Sequence, residues 1–79
     1  MIDNKKQLVT LTIWDKLSSM LCKFQLAPWE NDSNMNRMKV IFAACMAKIE
    51  TDESLIDRCL SEPGVSDFIT KVLLEQIEG

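Results

Sequence analysis

The chain has no histidine and no tyrosine, and only two glycines, two prolines and three cysteines in 79 residues. Each shortage excludes a kind of chemistry. Without imidazole there is no Ser-His-Asp or Cys-His catalytic device and no histidine-ligated metal. Gly64 and Gly79 stand alone, so no glycine-rich loop cradles a phosphate and no dinucleotide fingerprint exists. Cys22, Cys45 and Cys59 are odd in number and contain no CxxC pair. A small disulfide framework needs an even, closely spaced set, and a structural zinc site needs a fourth ligand. The three read as small apolar side chains in a reducing, cytoplasmic setting. Long hydrophobic runs are missing too: the longest, Val40 to Ala47, falls far short of the ~18 residues of a membrane span. Lys5 and Lys6 precede the apolar stretch from Leu8 to Trp14, but Thr10 and Thr12 interrupt it and no A-x-A cleavage site follows. No secretory signal is expected.

What is present is a high apolar share. Hydrophobic residues make up 47% of the chain, and Leu, Ile, Val and Phe together supply 23 positions, more than a disordered chain carries. A chain of this length buries only about 60% of the surface its unfolded form exposes, so its core is marginal. Charge is divided along the chain. Residues 1–48 hold seven bases against four acids, and residues 49–79 hold two bases against eight acids, for a net charge of -3. Such halves form either ordinary solvated helix faces or a basic and an acidic surface that orient association.

There is no repeat, low-complexity tract or linker, so residues 1–79 are expected to form a single domain. Four helices are readable, and the expected fold is all-α, a small four-helix domain whose third helix is short. Asp3 or Asn4 can cap the first helix, whose apolar positions Leu8, Leu11, Trp14, Leu17, Leu21 and Phe24 step by three and four. Val9, Leu11 and Ile13 alternate with Thr10 and Thr12 as a strand would, but a lone strand would have no partner here. Gln25 to Asp32 reads as a loop, with Pro28 pushing Ala27 out of helical geometry. The second helix begins after Asp32 or Ser33 as N-cap and runs to about Ile49, with Met35, Met38, Phe42, Cys45 and Ile49 on one face. Thr51 or Asp52 caps the third helix, which carries Leu55, Ile56, Cys59 and Leu60. Pro63 and Gly64 stop it, the glycine being suited to positive φ. The last helix, with Val65, Phe68, Ile69, Val72, Leu73 and Ile77, has the clearest amphipathic pattern.

Helix two is apolar on every side from Val40 to Ala47. Either its neighbours enclose it or part of its circumference faces another chain. Met35, Met38, Phe42 and Met46 are the candidate contacts on that helix, the methionines being adaptable fillers. Trp29, in the loop beside Pro28, is the fifth candidate, as lid or interface anchor. The carboxylates Glu50, Asp52, Glu53 and Asp57 lack the glycine and ligand ladder of a calcium loop, so no metal is expected. A nucleophilic serine would need a base other than histidine, and nothing marks one.

Two resemblances bear on function. Asp32-Ser33 before a helix, Asp52-Glu53-Ser54-Leu55 and Val65-Ser66-Asp67-Phe68-Ile69 resemble successive helix starts of acyl and peptidyl carrier proteins. These are acidic four-helix domains of this length, and the resemblance implies phosphopantetheine on Ser33. The chain departs from that family where Asn34 separates Ser33 from Met35, and where Arg37 and Lys39 replace acidic residues. Gly64-Val65-Ser66 resembles the turn that opens the recognition helix of helix-turn-helix DNA-binding domains. Its departures are Thr70, at a position expected to be buried and apolar, and Asp67, Glu75 and Glu78 against a single base, Lys71. Phosphates would be repelled by that face.

The expected function is therefore that of a small, acidic, non-enzymatic helical protein acting through protein–protein interaction, as regulator, chaperone or complex subunit. Its partner is expected to be a protein or a second copy, with no nucleic acid, membrane, metal or cofactor involved. The carrier reading, with Ser33 modified, is the alternative, and the DNA-binding regulator comes third.

Overall fold

A computed structural model describes residues 4–78. Four helices follow in order: α1 (Asn4–Lys23), α2 (Asp32–Thr51), α3 (Ser54–Arg58) and α4 (Gly64–Glu78), with no strand among the described residues. The all-α reading holds. Asp3, one of the two expected caps of α1, lies outside the described residues.

The strand-like alternation at the start of α1 is helical, and its threonines show why. Thr10 Oγ1 donates to the Lys6 carbonyl at 2.7 Å and Thr12 Oγ1 to the Leu8 carbonyl at 2.8 Å. Each hydroxyl is thus satisfied by the preceding turn of the same helix. The buried seam of α1 is Val9, Ile13, Leu17 and Leu21, spaced by four. Leu8 and Leu11, expected inside, point out instead, because Val9 and Ile13 take the core side. Enclosing a Val, Ile or Leu side chain stabilises by about 1.5–3 kcal/mol, which sets the weight of that seam.

The end of α1 is closed by its backbone. Gln25 has φ 62°, its N–H donates to the Cys22 carbonyl at 3.1 Å, and the Leu26 N–H reaches back to the Leu21 carbonyl at 2.9 Å. This pair of bonds is a Schellman closure, with glutamine in the left-handed position that usually takes glycine. The chain then turns at Ala27 to Glu30, where the Glu30 N–H donates to the Ala27 carbonyl at 3.1 Å.

Asn31, rather than Asp32 or Ser33, caps α2: its side chain accepts the Asn34 N–H at 2.8 Å. Asn34 is itself buried, and its Nδ2 donates to the Ala27 carbonyl at 3.1 Å. The loop is thereby tied to the first turn of α2 by a bond that a buried amide must make. The buried face of α2 is Asn34, Met38, Ile41, Cys45 and Ile49. Met35 and Phe42, expected on that face, flank it, half-buried. Against it pack the α1 seam, Cys59 after α3, and Val65, Phe68, Ile69 and Val72 of α4.

Asp52 Oδ1 accepts from both the backbone N–H and the hydroxyl of Ser54, at 3.1 and 2.6 Å, bridging α2 to α3. Gly64 does not take a positive φ. Its missing side chain matters for another reason: a Cβ there would collide with the Arg58 carbonyl oxygen. The glycine lets the first turn of α4 sit directly on the end of α3.

Candidate functional site

The sequence poses the question whether neighbouring helices enclose α2, and they do not. Val40, Ala43 and Ala47 are exposed. On one flank of α2, Phe42 meets Trp14 of α1 edge-on, with ring centroids 5.0 Å apart and planes at 87°. On the opposite flank lies an open groove of about 840 Å³ between the end of α1, the first half of α2 and the second half of α4. Its floor includes buried Leu21 and Ile41. Its apolar rim exposes Phe24 by 67%, Val40 by 59%, Leu74 by 51% and Ile77 by 79%. Four large apolar side chains, from α2, α4 and the turn that follows α1, all more than half exposed and converging on one concavity, make a patch rather than scattered surface residues.

Polar groups edge the groove at Ser33, Asn36, Arg37, Thr70 and Gln76. Among the described residues, Arg37 is the one charged residue lining it, and no carboxylate pairs with it. The other bases of the N-terminal half are largely engaged. Lys5 pairs with Asp57 at 3.3 Å, Lys6 with Glu50 at 3.5 Å, Lys16 with Glu62 at 3.0 Å and Lys48 with Glu75 at 2.9 Å. The division of charge along the sequence is thus folded back on itself, base of the first half against acid of the second. Each exposed pair contributes at most about 1 kcal/mol. Glu62 is held below the ordinary carboxylate range first by the Ser66 hydroxyl and then by Lys16. These pairs leave Lys23, Arg37 and Lys39 as the bases of the first half without an acidic partner among the described residues.

The five contact candidates read from the sequence do not converge on this groove. Met38 is fully enclosed and belongs to the core, which removes it from any surface. Phe42 and Met46 are half-buried and packed against the core. Met35 is also half-buried and, seven residues before Phe42, lies on the same flank. Trp29 is exposed in the loop and is no lid over the core. Ser33 is exposed, in the first turn of α2, and lines the groove. Gly64-Val65-Ser66 opens α4, and Thr70 is exposed with its hydroxyl donating to the Ser66 carbonyl at 2.8 Å. Of the groove residues, only Ser33 is a candidate in the sequence; Phe24, Arg37, Val40, Leu74 and Ile77 are not read there as contacts. The signal for the apolar ones is a pattern wider than one buried stripe needs, on α4 from Phe68 to Ile77 and on α2 from Val40 to Ala47, with Phe24 at the end of the α1 period.

All three thiols are free: Cys22 is exposed, Cys45 and Cys59 buried. Burial, and then the neighbouring Cys59, push the Cys45 thiol up to about 12, and burial raises Cys59 as well. A thiol kept protonated is a poor nucleophile and a poor metal ligand, so both behave as apolar groups. Among the described residues no cluster of Cys, Asp and Glu could hold a metal ion. Among the described residues, too, no helix is long and apolar enough to cross a membrane. The chain matches no family model, no curated protein and no solved structure.

Proposed function

We propose that the protein is a non-enzymatic interaction module that docks a partner protein in the groove between α1, α2 and α4. The observation that supports this most directly is the exposure of Phe24, Val40, Leu74 and Ile77 around one apolar concavity. A domain that buries so little of its surface has reason to place those side chains inside. Leaving them wet is costly unless a partner covers them. Catalysis has less support. No histidine is present, the buried thiols are protonated, and the groove lining is apolar except at its edge. Regulator, chaperone and complex subunit are all uses of such a module.

Affinity capture from the native host tests the reading by comparing the parent chain with Leu74→Glu. A protein recovered with the parent and lost with the variant is the expected result. The same set recovered by both chains, or none by either, removes the basis for a docking groove.

The carrier reading keeps one favourable observation, the exposed Ser33 hydroxyl at the edge of an apolar groove. A phosphopantetheinyl transferase with coenzyme A would then add the arm to the parent chain and not to Ser33→Ala. Under the docking reading the intact mass stays unchanged.

A further inference from the structure

Both long walls of the groove follow the spacing by which helices pack. On α2, Ser33, Asn36, Arg37 and Val40 stand at i, i+3, i+4 and i+7, and on α4, Thr70, Leu73, Leu74 and Ile77 do the same. Each set is one face of two helical turns, about 10.5 Å long. Two rows of that spacing, with the end of α1 closing one side, present the ridges and holes between which the side chains of another helix insert. Charge adds a direction. Arg37 is exposed beside the apolar rim without an acidic partner among the described residues, while four other bases are held by acids of their own chain. Lys23, next to Phe24 in the chain, is likewise exposed and without such a pair.

We propose that the groove receives an amphipathic helix of a partner protein, carrying an i, i+3, i+4, i+7 apolar stripe and an aspartate or glutamate beside it that pairs with Arg37. This rests on the docking reading above and specifies the partner's chemistry. The stripe covers Val40, Leu73, Leu74 and Ile77, and the carboxylate accepts from the guanidinium in a partly dried setting, where such a bond is strong and directional. The acid fixes the register of the helix and rejects helices with a lysine at that place.

Calorimetric titration of the full chain with two synthetic peptides tests it. Both carry the same leucine stripe at i, i+3, i+4 and i+7; one is flanked by glutamates, the other by lysines. The glutamate peptide is expected to bind about ten-fold more tightly, the worth of one charge-assisted bond. Arg37→Gln removes that preference, Arg37→Glu reverses it, and Leu74→Glu weakens both peptides, with circular dichroism reporting that each variant keeps its helix content. Equal binding of both peptides by the parent overturns the acidic-helix assignment and leaves the docking groove standing. Binding of neither peptide, or binding that Leu74→Glu leaves unchanged, overturns the groove reading as well. Laurate binding more tightly than either peptide, or a self-association dissolved by Leu74→Glu, gives the groove another occupant and overturns the proposal.

Discussion

Both flanks of α2 carry apolar side chains, and these meet different fates. On the α1 flank, Phe42 packs on Trp14, and Met35 and Met46 are half-buried. On the α4 flank, Val40 faces an open groove with Phe24, Leu74 and Ile77 around it. Phe42 is covered from within the chain and Val40, beside the polar Ser33, Asn36 and Arg37, is not. The difference teaches that an apolar surface on a small domain has no fixed meaning. What decides is whether a neighbouring helix reaches it, and α3, with five residues, is too short to serve as a fourth wall along the groove.

The sharpest way to break this comparison is to truncate one residue on each side of the boundary. Met38→Ala, in the enclosed face, is expected to cost about 2–5 kcal/mol, whereas Val40→Ala on the groove rim stays within about 0.5 kcal/mol. Urea unfolding of both variants measures the gap; equal losses would mean that the groove is closed in solution. A somewhat smaller loss is expected away from the groove. Gly64→Ala sets a methyl against the Arg58 carbonyl, and the required shift costs about 1–3 kcal/mol, read as a lower urea midpoint.

Alkaline pH probes the covered interior. In the unfolded chain Cys45 ionises near its ordinary value of 9.0, whereas in the fold it keeps its proton to about 12. The native state therefore binds the proton more tightly. This contribution is fully present below pH 9 and is lost between pH 9 and 12, at about 1.4 kcal/mol per unit. Urea unfolding at pH 8.5 and at pH 10 is expected to show the parent losing about that much more than Cys45→Ala. An identical fall in both proteins would place Cys45 in contact with water.

The smallest effect is a gain. Gln25→Gly relieves a left-handed backbone beside the groove and is expected to add about 1 kcal/mol, about 4–8 °C in Tm. Because Gln25 is exposed and does not line the groove, peptide binding should be unchanged. A fall in affinity would mean that the turn moves on binding.

Much of this could be read from residue order, and what could not has a common cause. The helices are local: capping, period and breakers place them to within a few residues, as with α4 from Gly64. Rotation about the helix axis is not local. In α1, Val9 and Ile13 compete with Leu8 and Leu11 for the inside, and both sets fit a helical period. In α2, Asn34 looks like a polar surface residue, yet it is buried because the Ala27 carbonyl, seven residues earlier, lies within reach of its amide. Of the contact candidates, Met38 fits either place in the sequence because methionine suits both a core and a surface, and only its neighbours assign it to the core.

The sequence by itself determined the all-α class, the want of histidine and glycine chemistry, and the excess of apolar side chains on α2. Those follow from composition and from periods of three and four residues, which act within a turn or two. Only the tertiary structure decided where the excess faces and which charge is left over. The packing of α1 and α4 against α2 covers one flank and opens the other. The pairing of Lys5, Lys6, Lys16 and Lys48 with distant acids leaves Arg37 alone at the groove. Contacts between residues far apart in the chain are fixed by the packed shape, and no local pattern encodes them.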